Sequence, residues 1–144
     1  GRSIEETARW LEENKLHLAH WFTVDDLNHL KRGGRVSGAA AFFGTMLNIK
    51  PVLHVDDAGH LIPMEKVRGR KASLDALEKD AVDPASQTVF ISHGDCRADA
   101  EYVADLVREK FGTQDIRIHS IGPVIGSHSG PGTVALFYLG RTRG

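Results

Sequence analysis

Residues 88–119, TVFISHGDCRADAEYVADLVREKFGTQDIRIH, decide the fold class. Apolar runs at 88–92 and 116–119 predict two strands, and between them residues 97–111 carry apolar side chains at helical spacing up to Gly112. Two strands joined through a helix form a βαβ unit, whose strands are parallel and whose crossover is right-handed. We therefore predict an α/β (α+β) fold: a central mixed β-sheet with helices packed on it.

Upstream of this unit, helix and strand signals alternate. Ser3 and Glu6 are spaced as a capping box and predict a helix to about residue 14, and residues 18–23 predict a strand. A second short helix begins near Asp26 and ends at the glycine pair 33–34, because glycine readily adopts the left-handed conformation found after helix ends.

The remaining segments complete the sheet. Residues 51–67 predict a hairpin whose turn contains Gly59, and a helix over residues 68–79 follows it. After the βαβ unit, the Gly/Pro-rich segment 122–132 predicts a loop that leads to a last strand at 133–139. A chain of this length buries about two-thirds of its unfolded surface, so we expect one domain over residues 1–144.

Composition excludes several classes of function. The net charge of −1 argues against nucleic acid as a partner, and the two longest uncharged stretches, 36–49 and 118–140, argue against stable membrane insertion because the first is short and the second is broken by glycine and proline. A single cysteine, Cys96, excludes an internal disulfide and predicts a cytoplasmic location. No motif for a nucleotide, a dinucleotide or a metal is present, so we predict no cofactor and no metal site.

Two segments carry candidate binding chemistry. The stretch KRGGRVS at 31–37 places Arg35 beside a glycine turn and before a predicted helix that starts at Ser37, which suits an anion; a solvated basic loop is the alternative. In the second segment, His128 lies between two serines within constrained glycines and prolines, and it either contacts a ligand or has a structural role. Asp95 follows the first strand of the βαβ unit, where open sheets commonly bind ligands, but we favour the alternative that it caps the next helix.

Residues 38–47 form a segment without charge. A helix that is apolar on every side must be buried on every side, and its small side chains would let a slender apolar ligand come close. The candidate residues for lining a groove are Ala40, Phe43, Met46 and Leu47.

Four ordered motifs resemble the DegV family: LKRGGRVS at 30–37, LNIKPVL at 47–53, EKVR at 65–68 and VIGSHSGPGT at 124–133. The likeness covers residues 22–139 and the family's C-terminal domain only. It implies a two-domain protein with a long-chain fatty acid between its domains, which serves as carrier for a separate fatty acid kinase catalytic subunit and is not itself an enzyme. The resemblance also leads us to expect that the N-terminal lipid-headgroup domain, a further partner, is absent from this chain.

The resemblance implies site residues as well. Arg35, Arg68 and His128 are expected near the acyl carboxylate or the phosphoryl-transfer surface, with Ser37, Ser127, Gly130 and Thr133 as secondary positions. The sequence is also compatible with two other functions: a small-molecule acyl-processing enzyme that uses His128 as base, and a protein-interaction domain.

Overall fold

A computed structural model of the chain describes residues 1–35, 48–77 and 83–143. These residues form five helices and six strands: α1 Ile4–Asn14, β1 Leu18–Thr23, α2 Leu27–Arg32, β2 Ile49–Val55, β3 Leu61–Arg68, α3 Arg70–Asp75, β4 Val89–His93, α4 Arg97–Phe111, β5 Ile116–Ser120, α5 Pro123–Ser129 and β6 Val134–Leu139. Among the described residues, no helix is both long enough and apolar enough to cross a bilayer. The predicted helix from Ser37, with Ala40, Phe43, Met46 and Leu47, lies outside the described residues.

The six strands form one mixed sheet in the order β3-β2-β1-β6-β4-β5. Only the pair β4–β5 is parallel, and α4 connects those two strands, which confirms the predicted βαβ unit. The hairpin is confirmed too, since β2 and β3 pair antiparallel with a register shift between Val52 and Leu53. The mixed α/β architecture is therefore as the sequence predicts.

The sheet has two faces with different coverings. On one face, which we call the α4 face, Trp21, Ile91 and Leu136 pack in a buried cluster that includes Val103 and Val107 of α4. Because side chains alternate along a strand, the neighbours of these residues point to the other side. There Phe22, Leu53 and Ala135 form a smaller cluster with Leu30 of α2, and we call this side the α5 face.

Two local predictions are wrong. The sequence predicts a loop over 122–132, but residues 123–129 form α5, which begins at Pro123, a residue that suits the first turn of a helix. Within α5 the hydroxyls of Ser127 and Ser129 donate to carbonyls four residues earlier. Asp95 does not cap α4: it adopts a φ of 53°, and the N–H of Cys96 instead donates to Nδ1 of His93 at 3.3 Å.

Candidate functional site

The α5 face holds a cavity of about 500 Å³. This volume lies within the range of about 300–1,000 Å³ that is typical of small-molecule sites. Its floor consists of sheet residues: His20, Phe22, Val55, Leu61, Ala135 and Phe137. Leu30 of α2 and Ile121, Val124 and Ile125 in and before α5 add further apolar side chains. The described part of the lining is therefore mainly hydrocarbon.

Arg35 and His128, although far apart in the chain, both line this cavity. Arg35 follows the C-terminal end of α2, and its Nη1 donates to the carbonyl oxygen of Gly33 at 2.8 Å. His128 lies on α5, and a Cβ on Gly33 would come within 2.3 Å of its Nδ1. Both side chains therefore lie beside the backbone of Gly33, so a guanidinium and an imidazole meet at this cavity.

Close packing of α2 against α5 produces this arrangement. Besides the contact between Gly33 and His128, a Cβ on Gly130 would lie 2.4 Å from the ring of His29. Each helix thus presents a glycine to a histidine of the other helix. The glycine pair that ends α2 also turns the chain, since Gly34 has a φ of 68° and brings Arg35 back, where its N–H donates to the carbonyl of Leu30 at 3.0 Å.

We call the part of the cavity beside Arg35 and His128 the cationic corner, and its electrostatics favour an anion. Arg35 is exposed, and among the described residues its guanidinium donates to a carbonyl and not to a carboxylate. Within residues 1–35, 48–77 and 83–143, no ion pair neutralises Arg35 or His128. A carboxylate placed here would gain a charge-assisted hydrogen bond from the guanidinium.

The secondary positions differ in their burial and in whether they line the cavity. Thr133 is buried and lines the cavity, and its hydroxyl donates to the carbonyl of Gly130 at 2.8 Å. Gly130 is buried with a φ of 81°. Ser127 is exposed, donates to the carbonyl of Pro123 and is not among the described lining residues. Ser37 lies outside the described residues.

Arg68 is not brought to the cavity in the part of the chain that the structure describes. It is the last residue of β3, it is exposed, and it is paired with Ile49 at the edge of the sheet. Its implied role near the carboxylate or the phosphoryl-transfer surface stays a prediction.

His20 also lines the cavity, although no motif in the sequence points to it. Its ring meets that of Phe137 edge to face, with centroids 5.2 Å apart, and its Nε2 is buried without a hydrogen-bond partner in the described structure. Burial lowers the pKa of His20, and the positive charge of Arg143 lowers it further, so the ring is neutral at pH 7. Strand alternation could have found it, because His20 and Phe22 are two residues apart in β1 and therefore share a face.

The geometry suits binding better than nucleophilic chemistry. The hydroxyls on either side of His128 both donate to carbonyls of their own helix, and no carboxylate among the described residues accepts a hydrogen bond from the imidazole to orient it. Among the same residues, no group of three or more His, Cys, Asp or Glu side chains could hold a metal ion. The corner can hold an anionic head group while the floor covers an apolar tail.

Comparison with known proteins identifies the same family as the four sequence motifs. The family described as "Uncharacterised protein, DegV family" matches residues 1–141. The chain belongs to the DegV family. A DegV domain-containing protein of Clostridium perfringens is 54% identical over 147 residues, which cover 99% of this chain and 50% of that protein. The chain therefore spans about half the length of the DegV relatives that it matches.

Solved DegV structures share the fold. The DegV lipid binding protein of Thermotoga maritima superposes with a TM-score of 0.82 at 32% identity, covering all of this chain and 51% of that one. DegV from Bacillus subtilis, a fatty acid binding protein, gives a TM-score of 0.74 at 33% identity, covering 96% of this chain and 50% of the other. This DegV chain thus has homologues that bind fatty acids.

Proposed function

We propose that this DegV chain forms one side of a fatty-acid site in a carrier protein, and that it presents the acyl carboxylate to a separate kinase subunit without catalysing a reaction itself. One observation carries the proposal: Arg35 and His128 converge on Gly33 at a cavity whose described lining is mainly apolar. A fatty acid has an apolar tail and an anionic head group. The tail matches the apolar floor of the cavity, and the head group matches the position of Arg35 and His128.

The apolar floor supports a long acyl chain as ligand. Phe22, Ala135 and Phe137 lie side by side across β1 and β6, where Phe22 pairs with Ala135 and His20 pairs with Phe137. Each methylene that such a floor removes from water contributes about 0.8 kcal/mol. For an acyl chain of a dozen or more methylenes, most of the binding free energy would come from burying the chain.

The cationic corner supports a carboxylate as head group. Removing an ionised carboxylate from water is costly unless it is paired and hydrogen-bonded. Arg35 and His128 supply donors of that kind, and the position of Arg35 next to solvent would leave the carboxylate within reach of a second protein. This accessibility suits a carrier whose cargo is modified by a partner.

The first test is to identify the cargo. The protein at its full natural length, purified without added lipid, should release a long-chain fatty acid in roughly equal molar amount when its lipids are extracted and analysed by mass spectrometry. Protein that is folded, carries no lipid and does not take up added oleate would contradict the proposal.

The second test is to measure acyl phosphate formation with a fatty acid kinase subunit. Arg35→Ala and His128→Ala should each lower turnover about ten-fold or more, since a charge-assisted hydrogen bond contributes about 1.5–3 kcal/mol. Arg97→Ala is the matched control, because Arg97 pairs with Glu101 on α4, at the opposite face of the sheet. Wild-type turnover in both site variants would count against the proposal.

A further inference from the structure

Three side chains with a hydroxyl line the described part of the cavity, and two of them are already hydrogen-bonded. Ser129 donates to the carbonyl of Ile125 at 3.0 Å, and Thr133 donates to the carbonyl of Gly130 at 2.8 Å. Ser92, on β4, makes no side-chain hydrogen bond to any other residue that the structure describes. The proton of its hydroxyl is therefore available to a ligand.

The side chain of Ser92 faces the cavity. The preceding residue, Ile91, packs in the cluster of the α4 face, and side chains alternate along a strand, so Ser92 points to the α5 face. Its backbone lies inside the sheet, because Ser92 pairs with Ala135 on one side and with His119 on the other. Ser92 is nevertheless only half-buried. The part of Ser92 that stays accessible at the cavity is therefore its side chain.

Ser92 lies at the end of the floor that adjoins the cationic corner. It pairs with Ala135, so Thr133, two residues before Ala135, is its diagonal neighbour. Diagonal neighbours of this kind are about 7–8 Å apart. Thr133 donates to the carbonyl of Gly130, which is two residues after His128. One diagonal step and one hydrogen bond thus connect Ser92 with the end of α5 that carries the imidazole.

The two oxygens of a bound carboxylate need donors on two sides. An ionised carboxylate accepts hydrogen bonds at both oxygens, and an oxygen removed from water without a donor is unfavourable. Arg35 and His128 approach from the ends of α2 and α5, next to solvent. An oxygen that points inward from them faces the sheet, and Ser92 supplies a donor there.

We propose that the Ser92 hydroxyl donates to the inner oxygen of the bound carboxylate, so that the outer oxygen stays at Arg35 and His128 beside solvent. This inference rests on the proposed function, because it assumes that the cavity holds a fatty acid with its carboxylate at the cationic corner. It adds to that function a binding residue that fixes the direction in which the head group faces.

The experiment follows the carboxyl group of bound oleate in the protein at its full natural length. Oleate labelled isotopically at its carboxyl carbon is bound to wild type, Ser92→Ala and Ser92→Cys, and the NMR shift of that carbon is recorded against pH. A hydrogen bond to the charged form lowers the pKa of a carboxylic acid. Both variants should therefore raise the pKa of bound oleate by about one unit and weaken oleate binding about ten-fold.

Two control variants separate the hydrogen bond from packing. Ser92→Thr keeps the hydroxyl, so it should restore most of the wild-type pKa and affinity. Ser120→Ala makes the same change as Ser92→Ala on the neighbouring strand β5, where Ser120 is exposed and is not among the described lining residues. This variant should give wild-type values.

The results tell the two proposals apart. If wild type binds oleate and both Ser92→Ala and Ser92→Cys leave the pKa and the affinity unchanged, the role of Ser92 is overturned and the proposed function stands. Equal losses in Ser92→Ala and Ser92→Thr would also overturn that role, because they would show an effect of packing. Failure of folded wild type to bind oleate would overturn both.

Discussion

At the scale of single residues, the site depends on glycines that leave room for imidazole rings. Gly33 lies against His128 and Gly130 lies against His29, each at a distance that a Cβ would close to under 3 Å. The sequence predicts that Gly33 and Gly34 end a helix, because that signal is local. It could not predict the contact with His128, because packing between segments so far apart in the chain leaves no local pattern.

Gly33→Ala and Gly34→Ala form a matched pair that tests this contact. Gly33 has an ordinary φ of −77°, so an added methyl group causes no backbone strain but collides with His128. Gly34 has open space around it and a φ of 68°, so its replacement costs about 1–2 kcal/mol in backbone strain without touching the imidazole. We expect Gly33→Ala to weaken oleate binding about ten-fold by displacing His128.

The two variants are compared by oleate titration and by the NMR signals of the His128 ring. Gly34→Ala should lower the melting temperature and leave those ring signals near their wild-type positions. Wild-type oleate affinity and unchanged His128 signals in Gly33→Ala would show that the close approach does not exist in solution.

The Cys96 thiol should react slowly with alkylating reagents. Burial is the main reason that its pKa lies above the usual value, and the Asp99 carboxylate raises it further, whereas Arg70 opposes the shift. Its Sγ also donates to the carbonyl of Thr133 at 3.3 Å, which favours the protonated form. A raised pKa means less thiolate at a given pH, so the midpoint of the rate profile moves to higher pH.

The measurement is the rate of iodoacetamide labelling against pH, for folded protein and for protein in urea. We expect the folded protein to react more slowly throughout and its profile to lie at higher pH. Overlapping profiles would contradict this account of the Cys96 environment.

At the scale of elements, length and regularity decide what the sequence can predict. The bounds of α4 agree with the prediction, because fifteen residues repeat an apolar face and Gly112 ends the helix with a φ of 70°. The seven residues of α5 are too few to establish a helical period, and their glycine, proline and serine content is typical of loops. The missed helix is the one that carries His128, so the local structure of the site was the least predictable part.

Asp26→Ala should destabilise the protein through α2. The Asp26 side chain caps this helix by accepting from the N–H of Asn28 at 2.9 Å, and α2 places Leu30 in the cavity. Removing such a cap costs about 1 kcal/mol, so we expect a lower midpoint of urea unfolding and weaker oleate binding. Asp57→Ala is the control, because Asp57 is exposed in the hairpin turn. Equal unfolding midpoints for the two variants would show that the Asp26 cap does not stabilise the protein.

At the scale of the whole molecule, the cavity is open to solvent on the side of α5. Val124 and Ile125 are 72% and 58% exposed, although both line the cavity, and Phe90 on the same face of the sheet is 43% exposed. The chain spans half the length of its DegV relatives. We propose that the other half of the full-length protein covers these residues. The motifs led us to Arg35 and His128, whereas the sequence holds no local pattern that says what packs on the exposed side chains of Val124 and Ile125.

The chain of residues 1–144 alone should therefore bind fatty acid poorly. We expect its affinity for oleate to be at least ten-fold lower than that of the full-length protein, because part of the acyl chain would remain in water. Isothermal titration of both proteins checks this, with circular dichroism to verify that the shorter one is folded. Tight, stoichiometric binding by the folded shorter chain would contradict the prediction.

A double-mutant cycle measures whether Arg35 and His128 converge on one carboxylate. The affinities of full-length wild type, Arg35→Ala, His128→Ala and the double variant are measured for oleate and for oleyl alcohol, which has the same tail without the charge. We predict a coupling of at least about 0.5 kcal/mol for oleate and none for the alcohol, because residues that share a partner are not additive. Additive losses for oleate, or equal coupling for both ligands, would contradict the claim.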